Sequence, residues 1–120
     1  MTMSSEEIAL EIAKALDAKK ATDIRIFDVG ELSGVTDFYV VATGTSAPHL
    51  KALISETQRH MKDLGVTSYR TSGTPDSGWT VVDYINAVAH VFSPEARVYY
   101  NIERLWATAR EIQLPLHPER

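Results

Sequence analysis

The strongest constraint on the fold lies in residues 78–92, where two short apolar runs flank an interruption at Ile85 and Asn86. The first run alternates with the period of a β-strand, and one of its two faces carries Trp79, Val81 and Asp83. The second run, 87–92, is apolar at nearly every position, which is typical of a strand covered on both faces. Together they predict a hairpin in the middle of a sheet, with an exposed, amphipathic face around Trp79.

The rest of the chain predicts alternating helices and strands. Ser4 and Glu7 are spaced as a capping box that opens a helix over 5–19, and Ser46 and Pro48 open a second helix, which Gly65 closes. A third helix begins at Ser93–Glu95, and a further short helix is expected over 101–106. The predicted strands before the hairpin cover 23–29, 37–43 and 66–71.

Local composition predicts how these elements connect. The first two strands should form an antiparallel pair, with 37–43 central because both of its faces are apolar. The polar strand 66–71 should lie at an edge, parallel to the strand before its crossover helix. Turn-forming residues make 72–78 a loop, and Pro115 and Pro118 indicate a flexible tail.

The composition of the chain limits the kinds of function that it can have. A chain of 120 residues predicts one domain, 1–120, with its core over 5–109 and a tail over 110–120. The absence of cysteine excludes disulfides and thiolate chemistry, and a net charge of -4 argues against strong direct nucleic-acid binding. No stretch resembles a secretory signal or a membrane span, so a soluble cytoplasmic protein is expected.

A glycine turn offers one route to catalysis. Gly44, Thr45 and Ser46 lie between a strand and a helix, where backbone N–H groups can bind phosphate, as in nucleotidyltransferases. Those enzymes also need two metal-binding carboxylates, whereas residues 54–58 contain one acid. A turn and helix cap is therefore the favoured interpretation, with a minimal nucleotide-binding enzyme as the alternative.

Other catalytic or metal chemistry has no support in the sequence. The histidines, His49, His60, His90 and His117, lack metal-ligand spacing, and no Gly-x-Ser-x-Gly or Walker motif is present. His90, within an apolar strand, is expected to be a hydrogen-bonded interior residue. We therefore expect no catalytic residues, no metal and no cofactor.

A protein-binding surface is the main functional candidate. Trp79, Val81 and Asp83 combine an aromatic anchor, an aliphatic neighbour and a charge, the composition of an interface hot spot. The alternative is that a helix covers this face and leaves Asp83 solvated at the strand end. The same ambiguity between core and surface applies to Tyr99, Tyr100 and Trp106.

Four motifs, in order, resemble the ribosomal silencing factor family, also called Iojap or YbeB-like. The matching segments are Asp37–Ser46, Gly78–Tyr84, His90–Phe92 and Tyr99–Trp106. The resemblance implies an α/β domain with a mixed five-stranded sheet in the order α-β-β-α-β-β-β-α, similar in fold to nucleotidyltransferases but without their catalytic acids. It also implies binding to the large ribosomal subunit through ribosomal protein L-fourteen. Such binding blocks association with the small subunit and represses translation when nutrients are scarce.

The resemblance maps two family motifs onto this chain: Gly78, Trp79, Asp83 and Tyr84, and then Tyr99, Tyr100 and Asn101. With Val81 from the same strand face as Trp79, the candidate partner-binding residues are Gly78, Trp79, Val81, Asp83, Tyr84, Tyr99 and Tyr100. A homodimeric adapter that uses the same face is a further alternative. The chain departs from the family at Ile85–Asn86, where a β-branched residue resists positive φ. A tight hairpin turn is therefore not expected there. Without a defined turn, the sequence does not fix where Asp83 lies relative to the end of the strand.

Overall fold

The computed structural model describes residues 3–33 and 36–113. The helices are α1 (Ser5–Ala18), α2 (Gly30–Ser33), α3 (Ala47–Asp63) and α4 (Pro94–Tyr100), with 3-10 turns at Pro75–Ser77 and Ile102–Trp106. The strands are β1 (Thr22–Asp28), β2 (Phe38–Thr43), β3 (Arg70–Thr74), β4 (Trp79–Asp83), β5 (Ala87–Phe92) and β6 (Arg110–Ile112).

The long helices begin where their caps predict. The Ser4 hydroxyl accepts the Glu7 N–H at 3.1 Å while the Glu7 carboxylate accepts the Ser4 N–H at 2.7 Å, a complete capping box. The Ser46 hydroxyl accepts the N–H of His49 at 3.1 Å at the start of α3. Gly65, just beyond α3, has a φ of 85°, the left-handed conformation that a glycine tolerates.

The strands form one mixed sheet in the order β3-β4-β5-β2-β1-β6. β2 and β5 are parallel, whereas the β1–β2, β3–β4, β4–β5 and β1–β6 pairs are antiparallel. The predicted hairpin is confirmed as β4–β5 in the interior of the sheet, and β2 is central, as its apolar faces predicted.

Apolar side chains cover both sides of the sheet. α1 and α3 cover one side with side chains such as Ile12, Leu16 and Leu53, which pack against Val40 and Val82 of the strands. A smaller cluster on the other side contains residues from both the sheet and the segment after β5: Phe27, Val41, Phe92, Ala96 and Trp106. Trp79 borders this second cluster, so β4 carries it on the side of the sheet opposite α1 and α3.

Three boundaries differ from the sequence prediction. β3 covers Arg70–Thr74 and not 66–71, so part of the predicted loop 72–78 is strand and the remainder is a 3-10 turn. β3 is nevertheless an exposed edge and runs in the direction of β2, as expected. β6, at Arg110–Ile112, makes the sheet six-stranded and not five-stranded, and it lies within the predicted tail. The prolines of that tail, Pro115 and Pro118, lie outside the described residues.

The prediction against a tight turn at Ile85–Asn86 is wrong. The β4–β5 register pairs Asp83 with Val88, and the Tyr84 N–H donates to the Ala87 carbonyl at 2.9 Å, which leaves a two-residue turn. Ile85 adopts a φ of 75°, an unfavourable value for a β-branched residue. Neighbouring hydrogen bonds hold it there: Asp83 Oδ1 accepts the Ile85 N–H at 2.7 Å, and the Thr36 hydroxyl donates to the Ile85 carbonyl at 2.8 Å.

Candidate functional site: an aromatic surface on the sheet

Gly78 fixes the point at which β4 begins. It has a φ of 81°, and a Cβ at this position would lie 2.8 Å from the Ser93 hydroxyl. Its carbonyl accepts the Ser93 N–H at 2.8 Å. Because Ser93 is also the N-cap of α4, this contact brings the start of α4 beside the start of β4.

Trp79 is half-buried in a group of aromatic rings. Its indole N–H donates to Nδ1 of His90 at 3.1 Å, which confirms that His90 is hydrogen-bonded. The indole ring stacks on Phe92 with 5.1 Å between ring centroids, and it contacts Tyr100 at 4.6 Å. α4 therefore covers part of Trp79 and holds its ring in one orientation.

The tyrosines lie at the end of α4, where the chain turns. Asn101 caps the helix in the left-handed conformation, with a φ of 43°, a region that asparagine tolerates better than most residues. Tyr99 is 81% exposed, whereas Tyr100 is 43% exposed and lies between Tyr99 and Trp79. For Trp106, the sequence left both a core and a surface position open. The structure shows that it is buried and stacks on Tyr39, with 4.2 Å between ring centroids.

Asp83 closes β4 and has two structural partners. Its Oδ1 accepts the Ile85 N–H, and its Oδ2 lies 3.5 Å from a guanidinium nitrogen of Arg70 on β3. Arg70 is highly exposed, so this ion pair is weak and water-accessible. Asp83 therefore stabilises the hairpin turn while its carboxylate remains partly accessible.

Five of the candidate residues form one continuous surface, here called the aromatic surface: Trp79, Val81, Asp83, Tyr99 and Tyr100. Tyr84 is different, because it is 3% exposed and belongs to the core on the side of α1 and α3. Gly78 and Tyr84 thus support β4 from inside the fold. A partner can reach the five residues of the aromatic surface.

Sequence reasoning missed two exposed apolar side chains in the segment after β5. Val98 is 80% exposed and Leu105 is 65% exposed. The signal was present in α4, since Ala96 and Arg97 take the buried positions of this short helix and leave its other residues outside.

Burial changes the acid–base behaviour of His90. Desolvation lowers its pKa from 6.5 to about 4, and the nearby Asp83 carboxylate opposes this shift only in part. His90 is therefore neutral at pH 7. A neutral imidazole carries one proton, and the hydrogen bond from Trp79 to Nδ1 requires that this proton lie on Nε2.

A buried arginine ties α4 to strands β1 and β2 of the sheet. Arg97 is 8% exposed, and its guanidinium donates to Glu103 at 2.9 Å and to the Thr43 hydroxyl at 2.8 Å. Glu103 also accepts from Arg25 of β1 at 2.7 Å. These bonds lower the pKa of Glu103, and the hydrogen bond from Arg97 is the largest cause.

The Gly44–Ser46 turn uses its donors internally. The Thr45 N–H donates to Nδ1 of His49 at 2.9 Å, and the Ser46 hydroxyl accepts the His49 N–H. A Cβ on Gly44 would come within 2.8 Å of Leu50, so this glycine allows α3 to pack closely on the turn. The turn-and-cap interpretation fits this geometry. Within the described ranges, no three His, Asp or Glu side chains are grouped as a metal site.

The fold and the surface together define a class: a small α/β protein that presents a fixed aromatic face on its sheet. No helix in the described ranges is long and apolar enough to cross a membrane. The family model described as "Ribosomal silencing factor during starvation" matches residues 2–120. The chain belongs to the ribosomal silencing factor family, as its motifs predicted.

Individual relatives agree with this assignment. The ribosomal silencing factor of Bacillus subtilis is 32% identical over 107 residues, which cover 89% of this chain and 91% of the relative. That of Chromobacterium violaceum is 36% identical over 104 residues, 87% and 85% of the two chains. The chloroplastic Iojap protein of Zea mays is 33% identical over 93% of this chain, which spans 49% of that longer protein.

Solved structures show the same fold. A crystal structure of a Chromobacterium violaceum protein superposes with a TM-score of 0.83 at 31% identity, covering 98% of this chain and 100% of the other. A Bacillus halodurans crystal structure gives a TM-score of 0.77 at 28% identity, covering 92% and 100%. The predicted α/β class with a mixed sheet is confirmed, with the sixth strand as the correction.

Proposed function

We propose that this chain binds ribosomal protein L-fourteen on the large ribosomal subunit through the aromatic surface and thereby blocks association with the small subunit. The effect would be to repress translation under nutrient limitation, in the cytoplasm. Membership of the silencing factor family supports a regulatory role at the ribosome. The observation that carries the proposal is the exposed Tyr99–Tyr100 pair against the fixed Trp79 ring.

The composition of the aromatic surface indicates which residues supply affinity and which supply selectivity. Full burial of one large apolar side chain contributes ~1.5–3 kcal/mol, whereas a rim ion pair contributes roughly 0.2–1 kcal/mol. Trp79, Tyr99 and Tyr100 should therefore supply most of the affinity. Asp83 should supply selectivity for a basic partner, in keeping with the net charge of -4.

Substitution within the surface tests this proposal. We expect Tyr99→Ala and Trp79→Ala to lose co-sedimentation with purified large subunits. Tyr99 is the cleaner test because its side chain is 81% exposed and its removal leaves the core intact. Trp79 contacts Phe92 and His90, so its variant needs an unchanged circular dichroism spectrum before the result is interpreted.

Tyr69→Ala is the matched control. Tyr69 is 42% exposed and lies against Tyr84, on the opposite side of β4 from the aromatic surface. Its variant should co-sediment as the parent chain does. Co-sedimentation of the Tyr99 and Trp79 variants at the parent level would remove the aromatic surface from the interface.

Self-association through the same surface is a second candidate, because Val98, next to Tyr99 in the chain, and Leu105 are also exposed apolar side chains. It predicts a mass that rises with concentration in sedimentation equilibrium. The Tyr99→Ala variant should stay monomeric, and added large subunits should compete with the dimer. A constant monomer mass in the parent chain would exclude this candidate.

A further inference from the structure

His90 lies on the same face of the sheet as the aromatic surface. The β4–β5 register places it directly opposite Val81, a member of that surface, and paired residues on neighbouring strands point to one face of a sheet. The imidazole ring also contacts Tyr39 of β2, with 5.4 Å between ring centroids, and Trp106 at 6.0 Å. His90 is only partly buried, so its ring forms part of the sheet surface beside Trp79 and Val81.

The two ring nitrogens of His90 have different environments. Nδ1 accepts the Trp79 indole N–H at 3.1 Å, so the single proton of the neutral ring lies on Nε2. Nε2 forms no hydrogen bond with any residue that the structure describes. It is not enclosed either, because within the described ranges the side-chain atoms that are both buried and unpaired are the hydroxyls of Thr80 and Tyr84. The Nε2–H group is therefore a hydrogen-bond donor that is open to solvent.

This donor needs a partner once the surface is covered. A protein that packs on Trp79 and Val81 would exclude water from Nε2, and an N–H group left unpaired in a dry interface costs free energy. The bound protein must therefore supply an acceptor at this point. The Asp83 carboxylate acts electrostatically on His90, so a second carboxylate beside it would be disfavoured by like-charge repulsion. An uncharged acceptor fits the site better.

We propose that Nε2 of His90 donates a hydrogen bond to an uncharged oxygen of the ribosomal partner, a main-chain carbonyl in chemical class. This inference rests on the proposed function, since it requires the partner to cover the aromatic surface. Apolar contacts around Trp79 are non-directional, whereas a hydrogen bond has a preferred direction. His90 is therefore a specificity-determining residue, because its bond fixes the orientation in which the partner docks.

Replacement of His90 by 4-thiazolylalanine isolates the donor. This side chain keeps a ring nitrogen at the Nδ1 position, which can still accept from Trp79, and has a sulfur atom in place of the Nε2–H group. We expect its dissociation constant for purified large subunits, measured by co-sedimentation over a range of chain concentrations, to rise about fivefold to tenfold, because the partner oxygen loses its donor. In the NMR spectrum of the free variant, the Trp79 indole N–H signal should remain that of a hydrogen-bonded group.

His90→Gln is the matched variant, because glutamine both accepts and donates through its side-chain amide, and it should bind more tightly than the thiazole variant. Equal affinity of the parent chain and the thiazole variant, or of the thiazole variant and His90→Gln, would overturn the inference. So would a parent advantage that grows between about pH 8 and about pH 6, since a carboxylate acceptor would then be binding protonated His90. If the proposed function itself fails, the pattern differs: the parent chain does not co-sediment, or Tyr99→Ala does so at the parent level, and the inference falls with it.

Discussion

At the scale of single residues, Ile85 shows how local hydrogen bonds can hold an unfavourable backbone conformation. Its φ of 75° is one that β-branched side chains resist, yet Asp83 and Thr36 bond its N–H and carbonyl groups. The sequence argument weighed the intrinsic preference of isoleucine alone. It could not include a hydrogen bond from Thr36, 49 residues away along the chain.

Relief of this strain should stabilise the protein. Ile85→Gly should raise the free energy of unfolding by about 0.5–1 kcal/mol, because glycine has no Cβ and adopts positive φ freely at the first position of such a two-residue turn, and Ile85 is 62% exposed, so little burial is lost. Chemical denaturation measures the change. Ile85→Val keeps the β-branch and serves as the control, with no gain expected. A loss of stability in Ile85→Gly would show that the isoleucine side chain matters more than its strain.

His90 should make stability depend on pH. The unfolded chain binds a proton at this histidine near pH 6.5, whereas the folded chain binds it only near pH 4. Acidification through this window therefore favours unfolding, by a total on the order of 2–3 kcal/mol. Denaturation midpoints between pH 7 and 4.5 measure the slope.

His90→Gln isolates this effect. Glutamine can still accept the Trp79 N–H through its side-chain oxygen, but it does not titrate. Carboxylates with lowered pKa values, such as Glu103 and Glu111, lose their contribution only below about pH 4.5. The variant should therefore lack the slope above pH 4.5, and an unchanged slope would assign it to another group.

At the scale of elements, the ion pairs around Arg97 join α4, the following 3-10 turn and β1. Glu103 accepts from both Arg97 and Arg25, and its side chain is 16% exposed. Glu103→Gln should destabilise the fold by about 2–4 kcal/mol, since a buried arginine that loses its carboxylate is costly although Thr43 still accepts from Arg97. Thermal unfolding measures this loss.

Glu111 provides the comparison for this prediction. It pairs with the same Arg25 at 2.8 Å, but both side chains are about one-third exposed. Glu111→Gln should therefore cost less than about 1 kcal/mol. Equal losses in the two variants would contradict the distinction between a buried and an exposed pair.

Elements with strong local signals were predictable from the sequence, and elements held by distant contacts were not. α1, α3 and α4 follow from their caps and apolar stripes, and the β4–β5 hairpin follows from alternation. β6 has three residues, two of them charged, and its ion pairs with Arg25 and Asp28 join it to β1. β3 is exposed at every position, so no pattern of burial marked its limits.

The candidate site was predictable in composition but not in arrangement. Alternation along β4 placed Trp79, Val81 and Asp83 on one face, as observed. It could not reveal that Tyr84, in the same motif, is buried on the other side, or that Tyr100 lies against Trp79. Those relations depend on how α4 returns to the sheet through Ser93 and Gly78.

At the scale of the whole molecule, the proposed role depends on the size of the domain and on the aromatic surface. The domain measures 35 × 34 × 33 Å, large enough to obstruct a neighbouring subunit when held at a subunit interface.

The most direct test of the central claim is the joining of purified ribosomal subunits, followed by light scattering after magnesium is raised. The parent chain and Tyr69→Ala should reduce the scattering increase in proportion to the large subunits occupied, and Tyr99→Ala should leave it near the level without added protein. Subunit joining that is unaffected by the parent chain, or blocked equally by Tyr99→Ala, would contradict steric silencing through the aromatic surface.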